Sequence, residues 1–218
     1  MNRSTIMGII IAALPILIAI TFHEVAHGFA AYKLGDPTAK MKGRLTLNPL
    51  AHIDLFGTII IPFILFITAG FVIGYAKPVP INPYNFKNPK RDMAISAIAG
   101  PATNIVLAVL SIAVIRMVIY PLSSILPQAV VSTVLSPIFQ MFRVSVVINV
   151  ILAIFNMVPI PPLDGGRVAV GFLPHKQAEA LSKLEPFGLI IVIVLFFVLD
   201  LGRFMFDPII RFVYALIG

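Results

Sequence analysis

Residues 5–34 read TIMGIIIAALPILIAITFHEVAHGFAAYKL, an apolar run whose only ionisable side chains before Tyr32 and Lys33 are His23, Glu24 and His27. At about 1.5 Å per residue this run makes roughly 45 Å of helix, more than the roughly 30 Å hydrocarbon core of a bilayer. It continues well past the length of a signal-peptide core, so a retained transmembrane helix is expected rather than a cleaved leader. Pro15 is expected to kink it.

The rest of the chain agrees with this start. Hydrophobic residues make up 59% and charged residues 11%, and the mean hydropathy is +1.02. A soluble domain carries about a quarter charged residues, so too little polar surface exists to cover a water-facing globule. The net charge of +7 sits in short loops. It reads as a topology signal facing the bilayer, not as a nucleic-acid surface. Cysteine is absent, which leaves His, Asp and Glu as the metal ligands available.

Further apolar stretches run over Leu55–Tyr75, Met93–Tyr120, Pro137–Val158 and Phe187–Leu201. Two basic loops flank the second stretch. One holds Lys33, Lys40, Lys42 and Arg44; the other holds Lys77, Lys87, Lys90 and Arg91. If basic loops stay in the cytoplasm, the second stretch re-enters or forms a hairpin, and the first, third, fourth and last stretches cross. Gly57, Pro62, Gly70 and Gly74 suit irregular backbone shielded from lipid. The uncharged loop Pro121–Ser136 then lies outside and Arg167–Lys183 inside. The fold expected is all-α and polytopic, with about four to six transmembrane helices and a re-entrant or short β element between the first and third stretches. It forms one domain over 1–218, with a catalytic core near 5–167 and a C-terminal membrane segment near 187–206.

His23 and His27 are four residues apart, so a helix sets both imidazoles on one face, where they can hold one zinc ion. Glu24 stands beside them. Zinc with an open position activates water, and a neighbouring carboxylate moves the protons of hydrolysis. Ionisable groups deep in an apolar helix are costly and point to function. A third ligand is wanted, and Asp164 is the candidate. It follows an apolar helix in a proline-rich stretch that forbids regular helix, beside Gly165 and Gly166, which permit a tight turn. A turn or cap role for Asp164 is the alternative on spacing alone.

HExxH at 23–27 together with Asn156-Met-Val-Pro-Ile-Pro-Pro-Leu-Asp-Gly-Gly166 resembles the site-2 protease family, peptidase family M50. Gly100-Pro-Ala-Thr-Asn104 is similar to that family's GPxxN element. The runs from Gly35-Asp-Pro-Thr to Asp54-Leu-Phe-Gly-Thr58, and Lys77-Pro-Val-Pro-Ile-Asn82, resemble its small bacterial members without PDZ or CBS domains; Leu55 stands where those members carry proline. The resemblance implies an intramembrane zinc endopeptidase of the plasma membrane that cuts transmembrane segments. It implies one Zn²⁺ held by His23, His27 and Asp164, with Glu24 as base and acid and Asn156 as oxyanion donor.

Other residues are weighed against plainer roles. Asn104 reads as an interhelical bond or a support for the site. His52 and Asp54 read as partners orienting a ligand imidazole or as interfacial polar residues. Asn149 and Arg143 read as structural, His175 as solvated, and Phe196–Phe197 as lipid-facing bulk. Lys33 marks the cytoplasmic interface, which puts His27 about 9 Å and His23 about 15 Å into the membrane by helical rise. A substrate helix must unwind to expose its carbonyls, and an edge at Val79-Pro80-Ile81 could hold it by strand addition. The competing function is a transporter or channel using the same charges as an ion relay. Nothing in the sequence sets an oligomeric state.

Overall fold

The computed structural model describes residues 3–69 and 74–217. Helix α1, Arg3–Lys33, is apolar on every side, and Pro15 lies inside it without ending it. It stops in a Schellman turn: Gly35 takes φ +111°, the Gly35 amide donates to the Tyr32 carbonyl, and the Asp36 amide donates to the Ala31 carbonyl. A residue with a Cβ adopts that φ only at a cost, so glycine sets the stop.

The second stretch opens with Asp54, whose carboxylate accepts from the Gly57 amide at 2.7 Å. Leu55–Ile60 is π-helical and leads into α2, Ile61–Ala69. Gly70, one of the glycines read as loosening this stretch, lies outside the described residues. At the far end, the Tyr75 amide donates to the Gly57 carbonyl and the Lys77 amide to the His52 carbonyl. The two ends of the stretch therefore lie side by side. From Gly74 to Asn82 the backbone has no regular secondary structure, and no strand is present among the described residues; the residues before Pro78, Pro80 and Pro83 are biased toward extended torsions.

Helix α3 runs Pro89–Ile125 and α4 runs Gln128–Asn156. Pro89 opens α3 where a missing N–H costs nothing, and Asp92 reaches back to accept from the Asn88 amide at 3.0 Å. The helices α1, α3 and α4 pack against one another. Alanines at 19, 31, 94, 97, 108 and 153 are buried, and these small side chains let the backbones approach closely, the packing mode available where lipid removes the hydrophobic drive. Short α5, Asp164–Phe172, lies on α3. Then come α6, His175–Ser182, α7, Gly188–Ile193, and α8, Leu201–Ile217.

By length and composition three helices can cross a membrane: Met7–Lys33, Pro89–Ile125 and Gln128–Asn156. A fourth is possible if the pair His175–Phe196 and Leu201–Ile217, bent by 67°, counts as one span. The all-helical, membrane-spanning fold is as expected, but three spans fall short of the expected four to six, and four are reached only if the bent pair crosses as one. One element is added and two readings need correction. The added element is the helix after Leu201, whose Val213 and Ile217 are buried with Ile115, Ile119 and Val146. Arg203, Asp207 and Arg211 lie on one side of it and dilute its hydropathy, which hid it. Phe196 is buried against Phe155 and Phe206, not lipid-facing; the Phe197 side chain lies outside the described residues. Asp164 does not sit in irregular chain but opens α5, because the prolines before it end at Pro162 and leave residues from 163 onward free to wind.

Candidate metal centre

Helix α1 carries His23 and His27 one turn apart, and α5 brings Asp164 against them. His23 Nε2 and His27 Nε2 are 3.0 Å apart, and each is 3.2 Å from Asp164 Oδ2. All three side chains are buried.

The surrounding hydrogen bonds fix what these atoms are. Asn149 donates through Nδ2 to the Ser145 carbonyl at 2.8 Å, so its Oδ1 is left for Asn104. Asn104 donates through Nδ2 to Asn149 Oδ1 at 2.7 Å and to the Ala19 carbonyl at 3.2 Å. Its own Oδ1 then faces His23 Nδ1 at 2.5 Å. His27 Nδ1 faces the Ser96 carbonyl at 2.8 Å. Both partners can only accept, so both Nδ1 atoms carry a hydrogen, and in the neutral imidazoles both Nε2 atoms present lone pairs. Those lone pairs converge on Asp164 Oδ2, which is buried without a hydrogen-bond donor. Three electron-rich atoms meeting in a buried space are stable together only around a cation, so the donor set fits zinc.

The packing leaves no slack. A Cβ on Gly100 would overlap the His23 and His27 rings. One on Gly165 or Gly166 would overlap the backbone of residues 157–161. The glycines of both motifs thus serve close approach, not unusual torsions. The peptide between Pro161 and Pro162 is cis.

A cavity of about 130 Å³ opens on the cluster, lined by Glu24, Asn156, Pro162 and Arg167 and by Pro78, Val79 and Ile81. Glu24 Oε2 accepts from the Val79 amide at 2.8 Å. Asn156 donates one amide hydrogen to the Leu152 carbonyl at 2.9 Å. Pro162 also borders a larger, mostly apolar cavity of about 710 Å³ between Tyr75, Ile151, Phe155, Leu189 and Phe196.

Of the residues singled out from sequence, His23, Glu24, His27, Asn156, Asp164, Val79 and Ile81 share one cavity. Pro80, between Val79 and Ile81 in the chain, is not among the residues lining this cavity; it lines a separate one of about 690 Å³. Asn104 touches a ligand imidazole, as one reading held. His52 and Asp54 are not among its lining residues: His52 bonds the Thr46 carbonyl and Asp54 caps the second stretch. Sequence reasoning missed Arg167 and Asn149 as the partner of Asn104. For Arg167 the signal was available, since it is one turn beyond Asp164 on the same helix.

A multi-pass membrane metalloprotease is the class these helices and this cluster define. Comparison with known proteins agrees: peptidase family M50 matches residues 11–199. The chain belongs to that family, the site-2 protease family of zinc metalloproteases. It is 38% identical over 196 residues to YwhC of Bacillus subtilis, named as a candidate zinc metalloprotease, across 89% of this chain and 83% of that protein. It is 28% identical to Rip2 of Mycolicibacterium smegmatis, named likewise, across 88% of this chain and 68% of that protein. No solved structure matches the chain.

Proposed function

We propose that the chain is an intramembrane zinc endopeptidase, one ion per chain, that cuts transmembrane segments of other proteins. The observation that carries this reading is the convergence of His23 Nε2, His27 Nε2 and Asp164 Oδ2 beside Glu24 in one cavity. Zinc in this position supplies the Lewis acidity that activates water and polarises the scissile carbonyl. Glu24 takes a proton from the attacking water and delivers it to the leaving nitrogen. Asn156 has a second amide hydrogen left to donate to the oxyanion as charge develops there. Asn104 and the Ser96 carbonyl hold the two imidazoles in the tautomer the site needs.

The substrate must arrive unwound. In Val79–Ile81 the Ile81 amide has no partner among the described residues, so it and the neighbouring carbonyls can pair with an extended substrate strand. The 710 Å³ apolar cavity next to Pro162 suits the side chains of a former membrane helix. The Tyr75–Gly57 and Lys77–His52 bonds support a second stretch that enters and leaves on one side. With positive loops inside, that side is the cytoplasm, and the site opens toward it in a single domain over 1–218, whose core is near 5–167. Membership in a protease family disfavours the ion-relay reading.

The test is Glu24→Gln assayed on a membrane-embedded reporter substrate alongside zinc analysis. Zinc stays at the wild-type level while cleavage falls by about 10²–10⁴-fold. Undiminished cleavage would refute the reading.

A further inference from the structure

Two sequence runs that the chemistry above leaves unused meet in the structure. The first is Gly35-Asp-Pro-Thr38, just beyond the stop of α1. The second is the strap Lys77–Asn82, which carries Val79 to Glu24. Asp36 joins them. It has no accessible surface, although a carboxylate is among the costliest side chains to bury. Its Oδ1 accepts from the Thr38 amide at 3.0 Å, from the Thr38 hydroxyl and from Asn85 Nδ2 at 2.6 Å. Its Oδ2 accepts from the Asn82 amide at 2.7 Å.

The strap is thus tied at two carboxylates, one inside α1 and one in the turn that follows it. Asp36 holds the amide of Asn82, and Glu24 holds the amide of Val79 at 2.8 Å. The Val79 side chain is buried against Gly28, where a Cβ would meet it. The Schellman turn at Gly35 fixes where Asp36 stands relative to α1, and therefore relative to Glu24.

We propose that Asp36 is a positioning residue of the active site: by anchoring Asn82 it sets the register of the strap, and so places the Val79 N–H on the Glu24 carboxylate and aims that carboxylate into the cavity. It touches neither substrate nor metal. The proposal rests on Glu24 being the catalytic base. A displacement of about 1 Å in such a group costs on the order of 10²-fold in rate, so the anchor matters although it lies beyond the cavity.

The strap lends itself to measurement. Prolines at 78, 80 and 83 leave Lys77, Val79, Ile81 and Asn82 as its amides. Hydrogen exchange of the purified full-length chain in detergent, resolved at these amides and run without substrate, is compared for wild type, Asp36→Asn and Asp36→Ala. Asp36→Asn keeps an oxygen for Thr38 and Asn85 but turns an NH₂ on the Asn82 amide, so it cuts the anchor and spares the loop. Exchange at Val79, which Asp36 does not touch, rises about tenfold or more in both variants. In parallel, kcat on the reporter falls about tenfold or more in both variants with KM within about threefold, zinc content stays at the wild-type level, and Asp36→Glu restores part of the rate. Faster exchange at Asn82 with Val79 unchanged overturns the proposal, as does an Asp36→Asn variant that cleaves like wild type. A wild-type chain that cuts no reporter, with Val79 exchange still responding to Asp36, breaks the endopeptidase reading and leaves the anchor standing.

Discussion

At the scale of single residues, the metal centre is decided by what surrounds the ligands. Each imidazole is oriented by an acceptor on its far nitrogen, Asn104 for His23 and the Ser96 carbonyl for His27. Both acceptors belong to α3. That helix must come close, and Gly100 is what lets it. Gly100→Val therefore pushes the His23 and His27 rings apart while leaving the lipid-facing surface untouched. The variant should insert and purify like wild type, yet hold less than about a tenth of the wild-type zinc, since losses of 10–100-fold in affinity already follow from milder changes around ligands. Elemental analysis of the purified protein checks this, and full zinc occupancy would show that the rings can move aside. The pairing of His23, Glu24 and His27 was legible because HExxH is a local helical pattern, whereas Asp164 and Asn156 as their neighbours followed from the family resemblance and not from spacing alone. Asn149 was legible only as a polar residue in a helix. Its partner is 45 residues away in sequence, and no spacing rule reaches that far.

At the scale of elements, local chemistry explains most starts and stops. Glycine ends α1, a proline opens α3, and Asp54 caps the second stretch. The strap was legible as an extended run, since three prolines in seven residues forbid helix over 77–83. That it would be held by carboxylates was not legible, because Asp36 and Glu24 lie 46 and 55 residues from the amides they accept from. The anchor carries a pH signature. Burial alone would raise the Asp36 pKa; the hydrogen bonds from Thr38, Asn85 and Asn82 outweigh it and bring the carboxyl below its ordinary 3.8. The folded pKa is depressed, so the stabilisation is complete above the unfolded value and fades as pH falls through the folded one. Exchange at Asn82, corrected for its intrinsic pH dependence, should hold flat down to about pH 4 and accelerate below it. In Asp36→Asn that acceleration should vanish; its persistence would assign the acid lability to another group.

At the scale of the whole molecule, the fold presents much of its apolar side-chain surface outward. Ile9, Ile10 and Leu14 on α1 and Val106, Val109 and Leu110 on α3 are all more than half exposed, which suits a belt in contact with acyl chains. The lack of cysteine makes the topology easy to measure. Single cysteines at Tyr84, which is 94% exposed, and at Lys176 should react with a membrane-impermeant thiol reagent only from the cytoplasmic side, and one at Ser124 only from the opposite side. Labelling of Tyr84→Cys from outside would make the second stretch a plain crossing. Tyr84 serves better than its neighbour Asn85, whose side chain is engaged with Asp36. The three long spans were legible from hydropathy. The bend at Leu199–Asp200 and the helix beyond it were not, because charged residues along one face look like a loop to any running average.

The ligands come from opposite ends of this assembly. His23 and His27 enter the membrane with the first helix, whereas Asp164 is delivered only after two further long helices have been laid against it. On the proposed function, a chain made only as far as Leu163 holds two of the three candidate ligands and is no competent hydrolase. Proteolysis inside a bilayer would endanger neighbouring proteins, and the order of synthesis would withhold it until the helices that bring Asp164 to the two histidines are in place. Metal capture would then report a correctly assembled bundle, and a misthreaded copy would be disarmed by geometry without needing an inhibitor.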